Sequence, residues 1–187
     1  MLKKRFPPLA AIVPVYAVIS ALFYGWSIMV FIWKLPAWLF FLTMGEIAGI
    51  FAYQFVTNLI ESLFILGVLL VLAFLLPARI LRNDFMVRGS AAAFTWIAMM
   101  MLFLHRFVNA DRAYDEFISY GPPSGASLIW WMMGAILLAV LVAFLASRFQ
   151  TFGKVVAWVA DRFIIFLFLL LPLSLISILV VIFRLLA

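Results

Sequence analysis

The chain has 187 residues, 70% of them hydrophobic and 11% charged, with a mean hydropathy of +1.29. A water-soluble domain is about half apolar and a quarter charged, so too little polar surface exists here to face water. The net charge of +6 comes from 13 Lys and Arg scattered at the ends of apolar runs. A nucleic-acid surface would need them clustered on one face, so no nucleic-acid partner is expected. The chain has no cysteine, which excludes disulfides, thiolate nucleophiles and Cys-ligated metals. The expected solvent is the lipid bilayer.

About 20 apolar residues carry a helix across 30 Å of hydrocarbon, and five such runs are present. They cover about 10–33, 51–76, 90–107, 127–146 and 163–183. The runs are continuously apolar rather than alternating, which favours helices over a barrel. The expectation is an all-α, polytopic transmembrane helical bundle, with residues 1–187 as a single integral membrane domain. Met1-Leu2-Lys3-Lys4-Arg5 before an apolar run is similar to a signal peptide. The run is too long for that and lacks a clean small-residue cleavage site, so it reads as a retained first span.

The first span carries Tyr16, Ser20, Tyr24 and Ser27 as one stripe at helical spacing. Ala17, Ala21 and Gly25 form a neighbouring ridge of small residues that would let another helix approach closely. Residues 35–50 are too apolar for a solvated loop. With the second span they would make a straight helix about twice the bilayer core in length. A short interfacial or re-entrant helix at the outer face is therefore expected, joined to span 2 near Gly45 and Gly49.

Span 2 concentrates the polar residues that are costly to place in lipid. Gln54, Asn58 and Glu61 are spaced i, i+4, i+7, which places them toward one helical face. Tyr53 and Thr57 adjoin that face, and Glu46 continues it if the helix is unbroken. Entering hydrocarbon near Phe51 would set Glu61 about 15 Å deep, near the midplane. A carboxyl there could carry a proton or coordinate a cation with amide and hydroxyl help. The competing reading has the column hydrogen-bonding neighbouring spans as structural glue, or lying in a wet interface. The span 1 stripe of Tyr16, Ser20, Tyr24 and Ser27 is the expected counterpart of the column.

The outer end of span 3 holds His105, the lone histidine, beside Arg106. One histidine without a second His or any Cys makes no zinc site, and no metal site is expected. The outer loop, 109–126, carries Asp111, Arg112, Asp115 and Glu116 before Gly121-Pro122-Pro123 turns the chain back. It is the connector with most polar variety, and a lipid-binding or lipid-modifying role would have to use it. The second inner segment, 148–161, reads as a short interfacial helix whose cations attract anionic lipid.

Lys and Arg placement orients the chain. With the N-terminus inside, the inner segments hold Lys3, Lys4, Arg5, Arg79, Arg82, Arg88, Arg148, Lys154 and Arg162. The outer segments hold Lys34, Arg106, Arg112 and Arg184. That excess follows the positive-inside rule. It places the N-terminus in the cytoplasm and the C-terminus outside, in a bacterial or archaeal cell membrane.

No phosphate loop, nucleophile elbow or partitioned carboxylate pair is present, so no catalytic residue is assigned, an enzyme is not favoured and no cofactor is identified. The length and Ala17-x-x-x-Ala21 resemble the substrate-binding subunits of vitamin uptake systems, which have six spans where five are counted here. The inventory favours a non-enzymatic subunit of a larger membrane complex, packed against other membrane subunits or its own copies. The alternative is a small oligomeric proton- or cation-linked transporter or channel using the span 2 column.

Overall fold

A computed structural model describes residues 6–78, 80–107 and 125–186. Five helices account for nearly all of them: α1 Leu9–Phe41, α2 Met44–Leu75, α3 Phe85–Phe107, α4 Gly125–Arg148 and α5 Gln150–Leu186. All five are long and apolar enough to cross a membrane. The architecture is the all-α multi-pass bundle that the composition requires.

Contacts between helices set their directions. Tyr16 meets Ser62 and Phe31 meets Phe51, so α1 and α2 are antiparallel. Tyr16 packs with Leu167 and Tyr24 with Leu170, so α1 and α5 run the same way. Val15 lies over Gly89 and Trp26 beside His105, so α3 also runs with α1. The indole N–H of Trp131 donates to the Met99 carbonyl at 3.0 Å, toward the C-terminal end of α3. At the other end Ala146 lies near Val87, so α4 runs against α3. Leu9 and Leu186 therefore sit at opposite ends of the bundle. Helix α1 is the central one, packed on α2, α3 and α5, with Pro14 to Ser20 buried without a break. The main apolar cluster joins Val15 and Ile19 of α1 to Ala73 of α2 and to Phe85, Ala93 and Ile97 of α3.

No separate short helix forms over 35–50. Leu35–Phe41 are the last turns of α1, and Met44–Ile50 are the first turns of α2. Only Leu42 and Thr43 lie between them. Two local causes produce this. Helix α1 continues through Pro36, at the loss of one backbone hydrogen bond to the Ile32 carbonyl. Thr43 then starts α2 at once through a capping box: its hydroxyl accepts from the Glu46 N–H, and the Glu46 carboxylate accepts from the Thr43 N–H.

Residues 148–161 likewise form no separate interfacial helix. Phe149 alone separates α4 from α5, and the hydrogen bonds of its N–H to Leu145 and of its carbonyl to Gly153 keep the path nearly helical. Residues 150–161 are the first turns of a 37-residue α5. At 1.5 Å per residue, α1, α2 and α5 are about 50, 48 and 55 Å long. Each exceeds the hydrocarbon thickness, so they tilt or project beyond it. Between α2 and α3, Arg88 pairs with Asp84 at 3.4 Å and donates to the Ile80 carbonyl at 2.7 Å, closing the turn between them.

Candidate functional site

The polar residues of α2 divide into three groups with different surroundings. The first is at its N-terminal tip. Glu46 lies more than a turn before the hydrocarbon run that begins at Phe51, and its carboxylate accepts from both the backbone N–H and the hydroxyl of Thr43, at 2.8 and 2.9 Å. These bonds, with a smaller contribution from the nearby Arg184 charge, hold its pKa below the ordinary value of 4.5. The Arg184 guanidinium, from the far end of α5, lies over Gly49, where any side chain would collide with it. Glu46 is thus occupied as a cap. The Thr43-x-x-Glu46 spacing is a sequence signature of that cap, which the polar-column reading passed over.

The second group faces inward and forms a seam between α1, α2 and α5. Ser27 donates to the Asn58 side-chain carbonyl at 2.8 Å, and the Gln54 amide donates to the Ser27 backbone carbonyl at 2.6 Å. Two turns deeper, Tyr16 and Ser62 meet at 3.4 Å. Between them, the Tyr24 hydroxyl lies 2.5 Å from Ser174 and 3.3 Å from the Phe55 carbonyl. Its ring meets Phe55 edge-on, with centroids 5.1 Å apart. Three hydroxyls of the α1 stripe, those of Tyr16, Tyr24 and Ser27, therefore bond to residues of α2. Ser20, only 1% exposed, has no partner for its hydroxyl, and Asn58, 3% exposed, has none for its amide nitrogen.

Ser174 was not foreseen. It is fully buried on α5, with its hydroxyl also donating to the Leu170 carbonyl at 2.7 Å. The available signal was Ser174 and Ser177, one helical turn apart in an otherwise aliphatic run after Pro172. Two close approaches were also missed. A Cβ on Gly89 would lie 3.2 Å from Val15, and one on Gly153 would lie 2.6 Å from the Ala146 carbonyl oxygen. By contrast, Gly25 has nothing within 4 Å of the same position, so the glycine end of the expected small-residue ridge makes no close contact.

The third group faces away from the bundle. Tyr53, Thr57 and Glu61, at i, i+4, i+8, are all exposed, and among the described residues no helix covers them. Thr57 donates back to the Tyr53 backbone carbonyl at 3.0 Å. Glu61 shares this surface with Ile60 and Phe64, 63% and 67% exposed. The structure therefore separates Glu61 from Gln54 and Asn58. Three residues at 100° each leave it about 60° round the helix from Asn58, enough to move it off the seam.

His105 is exposed, with its ring edge-on to Trp26 at 6.4 Å. The Arg106 side chain and Asp111, Arg112, Asp115 and Glu116 lie outside the described residues. Among the described residues no three His, Cys, Asp or Glu side chains are grouped to hold a metal ion. The seam offers hydroxyls and amides but no nucleophile paired with a base, so its chemistry is hydrogen bonding. Comparison with family models, curated proteins and solved structures finds no match.

Proposed function

We propose that this chain is a non-enzymatic subunit of a larger membrane complex, with the outward face of α2 seated against another membrane protein. The observation that carries this is the uncovered Tyr53, Thr57 and Glu61 ridge. Glu61 is the eighteenth of the 32 residues of α2, about 2 Å from the helix midpoint. An ionised side chain at that depth costs about 2.5–3.5 kcal/mol on insertion scales, and such residues nearly always face protein or water rather than lipid. A partner on this face removes the cost. The N-terminus lies in the cytoplasm in this reading, supported by the excess of Lys and Arg on that side.

Extraction in mild detergent tests it. The chain should leave the membrane in an assembly larger than its own 21.2 kDa. A monodisperse monomer without partners would remove the proposal.

One observation favours a second reading, a small oligomeric proton- or cation-linked transporter. The seam of Ser27, Gln54 and Asn58 contains unpartnered polar atoms at Ser20 and Asn58, which suit a passing ion or water. Glu61 would then act from the oligomer interface. Proton or cation flux in reconstituted vesicles, abolished by Glu61→Gln, would support this reading. Unchanged flux in the variant would end the role of Glu61.

A further inference from the structure

Resting on the subunit reading, we propose that the partner on α2 is a transmembrane helix of a different protein, carrying a lysine or arginine near its midpoint opposite Glu61. The first argument is hydrogen-bonding chemistry. The Thr57 hydroxyl spends its proton on the Tyr53 backbone carbonyl, leaving only lone pairs to offer. Glu61, one turn further, is acceptor-only when ionised. The middle of this face is therefore rich in acceptors and asks for a donor-rich cation, for which charge-assisted bonds are the strongest available.

The second argument concerns who can supply the cation. Helix α2 has no Lys or Arg from Met44 to Leu75. Among the described residues, the cations of the other helices lie away from the helix midpoints: Lys34, Arg88, Arg106, Arg148, Lys154, Arg162 and Arg184. Among its described residues a second copy thus offers none at the midpoint of a helix, opposite Glu61. A two-fold pairing of α2 with itself would instead set Glu61 beside Glu61.

The third argument is shape. Below Glu61 the same side of the helix carries a groove of about 360 Å³ along Phe64, Gly67, Val68, Val71 and Leu72. Nothing lies within 4 Å of where a Gly67 side chain would begin. Such a notch lets a second helix backbone approach closely. The polar half of the face supplies charge selection, and the notched half supplies contact area.

The chain lacks cysteine, so Phe64→Cys gives one reporter on this face and Leu137→Cys gives a control on the exposed side of α4. The full chain is reconstituted in phosphatidylcholine vesicles with a synthetic Leu/Ala helix of about 22 residues. The probe carries one central lysine and one cysteine a turn away; matched probes carry leucine or glutamate in place of the lysine. The expected result is disulfide capture of the lysine probe at Phe64→Cys, well above the leucine probe and above the Leu137→Cys control. Adding Glu61→Gln should lower capture to the leucine level, and Glu61→Lys should switch preference to the glutamate probe. Equal capture of lysine and leucine probes overturns the inference. So does preferential cross-linking of two Phe64→Cys chains to each other, which would identify a second copy as the occupant. A chain that extracts in a large assembly but ignores the lysine probe overturns this inference alone; a chain that extracts by itself overturns the subunit reading as well.

Discussion

Tyr24 ties three helices together, and its substitution separates hydrogen bonding from packing. Its hydroxyl reaches Ser174 on α5 and the Phe55 carbonyl on α2, while its ring, 1% exposed, packs against Phe55. Tyr24→Phe removes only the hydroxyl. Ser174 keeps its bond to the Leu170 carbonyl, so its donor is not stranded. Interhelical hydrogen bonds in membranes average about 0.6 kcal/mol with a maximum near 1.7, which gives about 1 kcal/mol for the Phe variant. Tyr24→Ala also opens a cavity. Large aromatic truncations cost about 3–5 kcal/mol in soluble cores. Lipid removes most of the transfer contribution, so the lower end, about 3 kcal/mol, applies. Equilibrium unfolding in mixed dodecyl maltoside and SDS micelles, followed by tryptophan fluorescence, measures both. A double-mutant cycle with Ser174→Ala should return a coupling near 1 kcal/mol, within the measured range for such bonds. The reasoning is refuted if the Phe variant loses as much as the Ala variant, or if the Ala variant unfolds like the parent.

Further outcomes are expected at the glycine contacts, the cap and the seam. Gly153→Ala places a Cβ 2.6 Å from the Ala146 carbonyl oxygen and should destabilise by about 1–3 kcal/mol in the same unfolding titration. Gly25→Ala meets nothing within 4 Å and should stabilise by up to about 1 kcal/mol through helix propensity; Gly49→Ala meets only the flexible Arg184 and should fall between them. Thr43→Ala should cost about 1 kcal/mol through loss of the cap, read as a lowered thermal midpoint in detergent. Because the Glu46 pKa is lowered by folding, its contribution is complete above pH 4.5 and is lost as pH falls through the lower folded value; Glu46→Gln should lack this acid-side loss of stability in a pH series. Ser27→Ala should cost more than Asn58→Leu, since the first leaves a buried Asn58 amide wholly unpaired while the second removes both the bond and its unpartnered nitrogen.

The lipid-crossing character and the five long apolar helices among the described residues were legible because they depend on summed composition over about 20 residues, a signal no local accident erases. The ends of the helices were not, because they depend on single interactions. The expected boundary near residue 35 is absent, because the helix continues through Pro36. Glu46 reads as the end of a polar column, yet with Thr43 it forms a cap that joins 44–50 to α2. Within the site, spacing placed Tyr16, Tyr24 and Ser27 on one stripe of α1, and that stripe does meet α2 and α5. Spacing was too coarse for Glu61. The angle that carries it off the seam is small in sequence terms, and which side of a span faces neighbours depends on how all five helices pack. Ser174 was hidden for the same reason: an isolated serine in an aliphatic run shows its role only once Tyr24 is seen beside it.

Every depth assigned to a side chain follows from the helices crossing the bilayer an odd number of times. The absence of native cysteine makes this directly measurable. Phe6→Cys and Leu186→Cys, each alone in sealed, oriented vesicles, are exposed to a membrane-impermeant maleimide added from one side. Labelling of one variant from the outside and the other only after the vesicles are opened is the expected result. Labelling of both from the same side would contradict the five crossings and the mid-membrane position of Glu61 together.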